Sequence, residues 1–440
     1  VRCTLLLAAA PPAETEAVLP LDAFHSLALQ LDPRRAAPAA ATFDVRSAQQ
    51  TLTLTPAAPA GWSLEVESST EDLDNIQIAN GQPVQAAYSL TRMLLHGSCA
   101  DRKRGKKGGK KGGKKGGATA VRCEAAAMRL DAAVGNRSSL ATSETLVLGS
   151  PPMPVNGEHY SYFQLAAPSP GLWRLALAHD TETTALVETE HSGQGVMGSG
   201  APSSHVLVPM LSYAGGRVGV RLDDAGATPP EQSSAVSTDA SDEEEEDDDT
   251  IHCFSLASGL LYERFVRIMM RSAAQRSSRP LKFWLLGNFL SAGFRESVES
   301  GALARAVGAK VAMVTYSWPF HLRHQREKQR LIWGYKILFL DVLFPLRVRR
   351  IMYIDADQMV NADLAELWTM DLRGAAVGMT PFCKRDANEH TTGFRFFEQG
   401  YWAGHLAGRP YHISALFVVD LAKLRYDGIG NTYRMLYDSL

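Results

Sequence analysis

The 440-residue chain lacks several features that would each have assigned it to a class. Its 5 cysteines include no Cys-x-x-Cys pair and no zinc-ligand spacing. That excludes a zinc module and a disulfide-dense small domain. Net charge is −2, too little positive charge for the chain as a whole to bind nucleic acid. No apolar run reaches the ~20 residues needed to cross a bilayer. The richest, KILFLDVLFPL, is short and carries Asp341. An initiator methionine is missing too, since the chain starts at Val1. The apolar core of VRCTLLLAAAPPAETEA is too short for a signal peptide. The expectation is therefore a fragment, and the closing YRMLYDSL, with no tail character, suggests that it stops inside a domain.

What is present is core-forming material. Hydrophobic residues make up 45% and charged residues 21%, as in globular domains, and the length suits two to four of them. Residues 1–225 carry short apolar stretches broken by Pro, Gly, Ser and Thr: TLTLT, WSLEVES, ETLVLGS, YSYFQLAA, GLWRLALA, SHVLVPML and GGRVGVRL. Several alternate with period two, which predicts a β-sandwich region. Within it, RKRGKKGGKKGGKKGG (102–117) is too glycine-rich and too uniformly charged to fold, and reads as an inserted surface loop or an anionic-surface tether. Cys99 and Cys123 flank that loop and are candidates for a disulfide. Residues 226–250, ending in SDEEEEDDD, read as an acidic solvated linker. From 251 onward strand and helix patterns alternate, which predicts an α/β domain with a mainly parallel sheet. Its long helix spans REKQRLIWGYKILFLDVLF, and the strand HISALFVVD is expected to leave an uncovered sheet edge.

In that domain the strand RRIMYIDAD ends in two carboxylates, Asp355 and Asp357. In α/β sheets ligands bind at the carboxyl ends of strands. Residues i and i+2 of a strand point to one side, so the pair can converge. Two carboxylates that close repel unless a cation lies between them, and hard divalent ions take oxygen ligands while leaving positions for phosphates. By this argument, removing either carboxylate relieves repulsion in the metal-free protein. The plainer reading is a capped strand end.

Four further features have the same two-sided character. Lys336 is the one charge in the apolar helix segment LIWGYKILFL; it either snorkels to the surface or meets a negative ligand such as a diphosphate. FSLASG (254–259) puts small residues at a strand-to-helix turn, where helix-start amides can bind a ligand, or where packing is simply tight. Tyr262, one turn on, can stack on a base or join the core. The segment 393–420 is dense in aromatics, His and Gly, which suits sugar rings and an ordinary aromatic core equally.

Together FSLASGLLYERFVRIMM, KFWLLGNFLS, EKQRLIWGYKILFLDVLFPL, IDADQMVNADLAEL, TPFC and GYWAGHLAGRPYHISALFVVD resemble the UDP-glucose:glycoprotein glucosyltransferases, folding sensors of the endoplasmic reticulum lumen. Upstream, MLLHGSCAD, EDLDNI and SYFQLAA resemble the β-rich region that precedes catalysis in that family. The resemblance implies a GT-A glycosyltransferase fold. It implies retaining transfer of glucose from UDP-glucose to a terminal mannose of high-mannose N-glycans on misfolded glycoproteins. By position, Asp355 and Asp357 would bind the divalent cation, commonly calcium, with manganese as the alternative. Ser255, Ala257 and Ser258 would lie at the nucleotide, Tyr262 would stack on uracil, and Lys336 would face the phosphates or sugar. Tyr401, Trp402, His405 and Ser414 would form the sugar and acceptor side. A further metal-binding aspartate lies past Leu440 in the family, so residues 1–440 are expected to be inactive alone. The stretch KRDANEHTTG departs from the family's acidic pattern after TPFC. The sequon at Asn136 and Ser138 agrees with a lumenal protein. Two alternatives stay open: another UDP-sugar transferase of related fold, and a non-catalytic paralogue that binds misfolded glycoproteins.

Overall fold

A computed structural model describes residues 2–7, 61–74, 76, 84–101, 123, 126–132, 143–146, 148–149, 161–168, 171–178, 184–191, 203–210, 215–224, 249–323, 325, 327–383 and 391–439. TLTLT, the basic run, Asn136, nearly all of the acidic linker and most of KRDANEHTTG lie outside them.

Among the described residues, the amino-terminal region forms two β-sheets. One runs Leu148–Gly149, Ser161–Ala167, Val84–Asp101, Gly216–Asp224, Thr184–His191, and Arg2–Leu7 and Trp62–Ser69 also pair with Val84–Asp101. The other runs His205–Met210, Gly171–Leu177, Ala127–Ala132, Ser143–Leu146. Period-two alternation sends Met93, Leu95, Phe163 and Leu165 of the first sheet against Met128, Leu130, Trp173 and Val208 of the second, in one buried cluster. The 18-residue central strand Val84–Asp101 was not among the sequence-predicted strands. Cys99, near its end, is disulfide-bonded to Cys123 with their Cα atoms 5.8 Å apart. The bond closes the loop that contains the basic run.

The domain that follows has six strands among its described residues: β1 (Ile251–Ser255), β2 (Leu281–Leu286), β3 (Lys310–Val314), β4 (Arg350–Ile354), β5 (Val377–Pro381) and β6 (His412–Asp420). The sheet order is β3-β2-β1-β4-β6-β5. Strands β1 to β4 pair in parallel, whereas β6 is antiparallel to both β4 and β5. The strand HISALFVVD is thus internal, not the uncovered edge its sequence position suggests; β3 and β5 are the edges.

Residues alternate through the sheet into two cores. Ile351 and Tyr353 enter one, Met352 and Ile354 the other. Helices α1 (Gly259–Arg276), α2 (Ala292–Glu299) and α3 (Ala302–Val307) cover the second face through Met269, Met270, Phe294 and Leu303. The first face is covered by α4 (Lys328–Leu338) and α5 (Leu340–Leu343). Four further helices follow: α6 (Leu364–Trp368), α7 (Gly400–Leu406), α8 (Leu421–Tyr426) and α9 (Ile429–Ser439). The single long helix expected over α4 and α5 is interrupted at Phe339, whose φ is −124°. The cause is tertiary. Buried Asp341 makes a two-pronged pair with Arg434 of α9, at 3.0 and 2.8 Å, while Arg425 of α8 donates to the carbonyls of Asp341, Phe344, Leu346 and Val348. These bonds hold the chain where it leaves the helix.

The two regions share a polar seam. Arg92 donates to Thr315 Oγ1 at 2.9 Å, and the Ser317 amide donates to Gln164 Oε1 at 3.1 Å. Tyr162 bonds His96 Nδ1 at 2.6 Å and belongs to the same apolar cluster as α4.

Candidate donor-sugar and metal site

Strand β4 lies where the sheet changes from parallel to antiparallel pairing. Its pleat ends at Ile354, and Asp355 to Gln358 forms a turn closed by the Gln358 amide on the Asp355 carbonyl at 3.2 Å. Any convergence of Asp355 and Asp357 is therefore set by this turn, not by strand alternation. The two carboxylates also sit in different surroundings. Asp355 Oδ1 accepts from Lys336 Nζ at 3.3 Å and from the Tyr353 hydroxyl. Its amide donates to the Ala415 carbonyl at 2.9 Å, which fixes the backbone against β6. Asp357 is exposed, with Gln358 Nε2 at 3.4 Å.

Lys336 does not snorkel. It is only 5% exposed, donates to the Ser414 carbonyl at 3.1 Å and lies 4.9 Å from the centre of the Tyr353 ring. Tyr353 stacks on Phe417 of β6. Burial, and then the adjoining Asp355 carboxylate, push its phenol well above the ordinary range, so it stays a proton donor. Sequence reasoning read Tyr353 only as strand core. The signal in the sequence is its position, two residues before Asp355 at the strand end.

The other sequence-predicted residues are placed as follows. Ser255 ends β1, is fully buried, and donates its hydroxyl to the Ile354 carbonyl at 2.7 Å, linking β1 to β4. Ala257 is buried in the apolar cluster under α1. Ser258 is the N-cap residue of α1, but its hydroxyl leaves the helix and donates to Asp74 of the amino-terminal region. The Leu260 amide is also taken, by Asp72 Oδ2 at 3.0 Å. The helix start read as a free anion cradle thus already carries carboxylate partners. Tyr262 stands 45% exposed, edge-on to Phe265. On α7, Tyr401 and Trp402 are exposed, and Tyr401 stacks on His405 at 5.7 Å. The bonds described here join Lys336, Tyr353, Asp355 and the Ser414 backbone into one cluster. They do not join Tyr262 or the α7 aromatics to it.

Among the described residues, no group of three or more His, Cys, Asp or Glu side chains is arranged to hold a metal. The residues that are present suit a hard cation only as part of a set. Asp355 and Asp357 each have one carboxylate oxygen engaged and one uncommitted among the described residues. Oxygens of that kind fit magnesium, manganese or calcium, which take remaining ligands from phosphate and water.

Comparison with known proteins fits this geometry. Residues 251–440 match the glucosyltransferase 24 family. Residues 251–440 form a glucosyltransferase 24 domain. UDP-glucose:glycoprotein glucosyltransferase 2 of Homo sapiens is 36% identical over 405 residues, which is 88% of this chain and 24% of that protein. The "Probable UDP-glucose:glycoprotein glucosyltransferase A" of Dictyostelium discoideum is 56% identical over 191 residues, 43% of this chain and 11% of that protein. The chain is a homologue of these glucosyltransferases and spans about a quarter or less of the length of each. Among solved structures, the galactosyltransferase LgtC with donor and acceptor sugar analogs aligns over 43% of this chain and 65% of its own, at 18% identity and a TM-score of 0.31, which decides nothing alone. Fold class is GT-A-like, with a mixed, mainly parallel sheet and additional β-sheets before it. No helix among the described residues is long and apolar enough to cross a membrane.

Proposed function

We propose that the glucosyltransferase 24 domain transfers glucose from UDP-glucose to high-mannose N-glycans of incompletely folded glycoproteins, with retention of anomeric configuration. The observation that carries this reading is the cluster Lys336–Asp355–Tyr353 at the carboxyl end of β4, in a domain of that family. Asp355 and Asp357 would hold a divalent cation, which when bound offsets the charge of the UDP diphosphate. Calcium is the first choice and manganese the second.

The chain's own residues divide the remaining work. Tyr353 and Lys336 hold Asp355 Oδ1, so that carboxylate is oriented before any ligand arrives. Lys336, fixed on the Ser414 carbonyl, supplies positive charge beside the diphosphate position. Tyr262 offers a half-exposed ring for uracil, next to Ser258, and Tyr401, Trp402 and His405 form the sugar and acceptor side. Ser255 and Ala257 contribute by shaping the turn rather than by polar contact. The Cys99–Cys123 disulfide suits an oxidising compartment, in keeping with the endoplasmic reticulum lumen.

The test is transfer by the full-length natural protein to a denatured high-mannose glycoprotein, with UDP-glucose and UDP-galactose compared. Glucose transfer that is abolished by chelation and restored by calcium or manganese is expected. Preference for UDP-galactose, or undiminished transfer in chelator, refutes the reading.

A further inference from the structure

The start of α1 is built from two parts of the chain. Ser258 occupies the N-cap position but does not cap its own helix. The capping bond comes instead from Asp72, whose Oδ2 accepts from the Leu260 amide at 3.0 Å. Asp72 Oδ1 accepts from the Asp74 amide at 3.1 Å, which holds the two acidic residues in one turn. Asp74 accepts from the Ser258 hydroxyl with one oxygen and pairs with Lys328 through the other. Lys328 is the first residue of α4, the helix that carries Lys336. Gly259 sits between, with a φ of +74°, and a Cβ there would come 3.0 Å from the Cβ of Asp74. The turn follows directly on strand Trp62–Ser69 of the amino-terminal region and is anchored by buried Ile76.

One acidic turn outside the catalytic domain therefore bonds the first turn of α1 and the first residue of α4. A carboxylate at a helix N-terminus satisfies an amide and complements the helix dipole. A neighbouring domain that supplies it makes the geometry of that turn depend on the docking of the domain. Resting on the donor-binding reading above, we propose that Asp72 and Asp74 are positioning residues for the nucleotide, setting Ser258 and Tyr262 through the start of α1 and steadying the Lys336 helix through Lys328. The turn also takes up the Leu260 amide and the Ser258 hydroxyl at the α1 start. The diphosphate is then left to the Asp355 side of the site, and α1 serves the nucleoside.

The test uses the full-length protein. UDP affinity is measured by titration calorimetry, and the KM for UDP-glucose and kcat by transfer, for Asp72→Ala, Asp72→Asn and Glu65→Gln. Asp72→Ala is expected to weaken UDP binding and raise the donor KM about fivefold to tenfold, on the scale of a lost helix cap, with kcat within about twofold. Asp72→Asn keeps an acceptor for the Leu260 amide but loses the one for the Asp74 amide, and is expected to recover part of the affinity. Glu65 pairs with Arg295 across the same domain contact without touching α1, so Glu65→Gln is expected to leave donor affinity unchanged. Unchanged binding in Asp72→Ala, equal weakening in Glu65→Gln, or no recovery in Asp72→Asn each overturns the proposal. A wild-type protein that binds no UDP refutes instead the donor reading on which it rests.

Discussion

Replacing Asp355 by alanine and Asp357 by alanine should have opposite consequences for the metal-free protein. Like-charge repulsion alone predicts that either change stabilises it. The structure separates them. Asp355 has two donors, and one of them, Lys336, has a side chain only 6% exposed against 30% for Asp355. At 3.3 Å the pair's attraction is about 5 kcal/mol with an effective dielectric of ~20, an upper bound. Partial exposure of Asp355 and the bond that Lys336 keeps to Ser414 reduce the loss. Orphaning the Tyr353 hydroxyl adds about 1–2 kcal/mol. The net cost of Asp355→Ala is then about 2–4 kcal/mol, below the full penalty for breaking a buried pair. In a domain of this size that lowers Tm by roughly 5–12 °C. Asp357 is exposed with one weak partner, so Asp357→Ala should stay within about 0.5 kcal/mol of wild type. Calorimetric melting at pH 7 in chelator, where no cation masks the difference, reads both. Equal Tm values for the two variants, or a rise for Asp355→Ala, would refute the account of Asp355 as an already paired carboxylate.

Two further outcomes follow from named contacts. Lys336→Met should abolish transfer while leaving binding of calcium or manganese intact or tighter, because it removes a cation that shares Asp355 Oδ1; isothermal titration of the metal alone checks it, and loss of metal binding counts against it. Burial, and secondarily Arg347, lower His252 from 6.5 to about 4, so it is neutral in the fold and accepts the Trp284 indole N–H at 3.0 Å. The unfolded chain binds this proton first as pH falls, so stability is intact above pH 6.5 and declines toward pH 4 by up to roughly 3 kcal/mol. His252→Gln should flatten that part of the acid profile in melts from pH 7 to 4, and an unchanged slope would remove His252 from the account.

The sequence was legible where local rules dominate. Short, nearly continuous apolar runs in IHCFS and RIMYI identified buried strands, and Asp355 fell at the end of one, as the sheet rule requires. It was not legible where distant residues decide. Nothing in LIWGYKILFLDVLF marks a break, and the break at Phe339 depends on Asp341 meeting Arg434, 93 residues later. Sheet order is likewise hidden, because β6 inserts between β4 and β5 rather than following β5 outward. The stretch EDLDNI was recognisable as a familiar string, but its chemistry was invisible: Asp72 and Asp74 find Leu260 and Ser258 at separations of 188 and 184 residues.

The same distinction changes what the two aspartates signify. Burial of an unpaired carboxylate points to a missing partner, and from sequence the partners in view were a cation or the loop amides of a capped strand end. In the fold Asp355 already has a lysine and a tyrosine, so its position at a core strand end needs no metal to explain it. What still points to a cation is the sum over the cluster. Two carboxylates against one ammonium leave one uncompensated negative charge, −2 + 1 = −1. A dication arriving alone overshoots that charge and, among the described residues of this cluster, meets two carboxylates. A dication arriving with a diphosphate gains further oxygen ligands and brings its own balancing charge. On the proposed donor reading, these charges favour joint binding of metal and nucleotide over tight binding of the metal by itself, with buried Lys336 holding the balance.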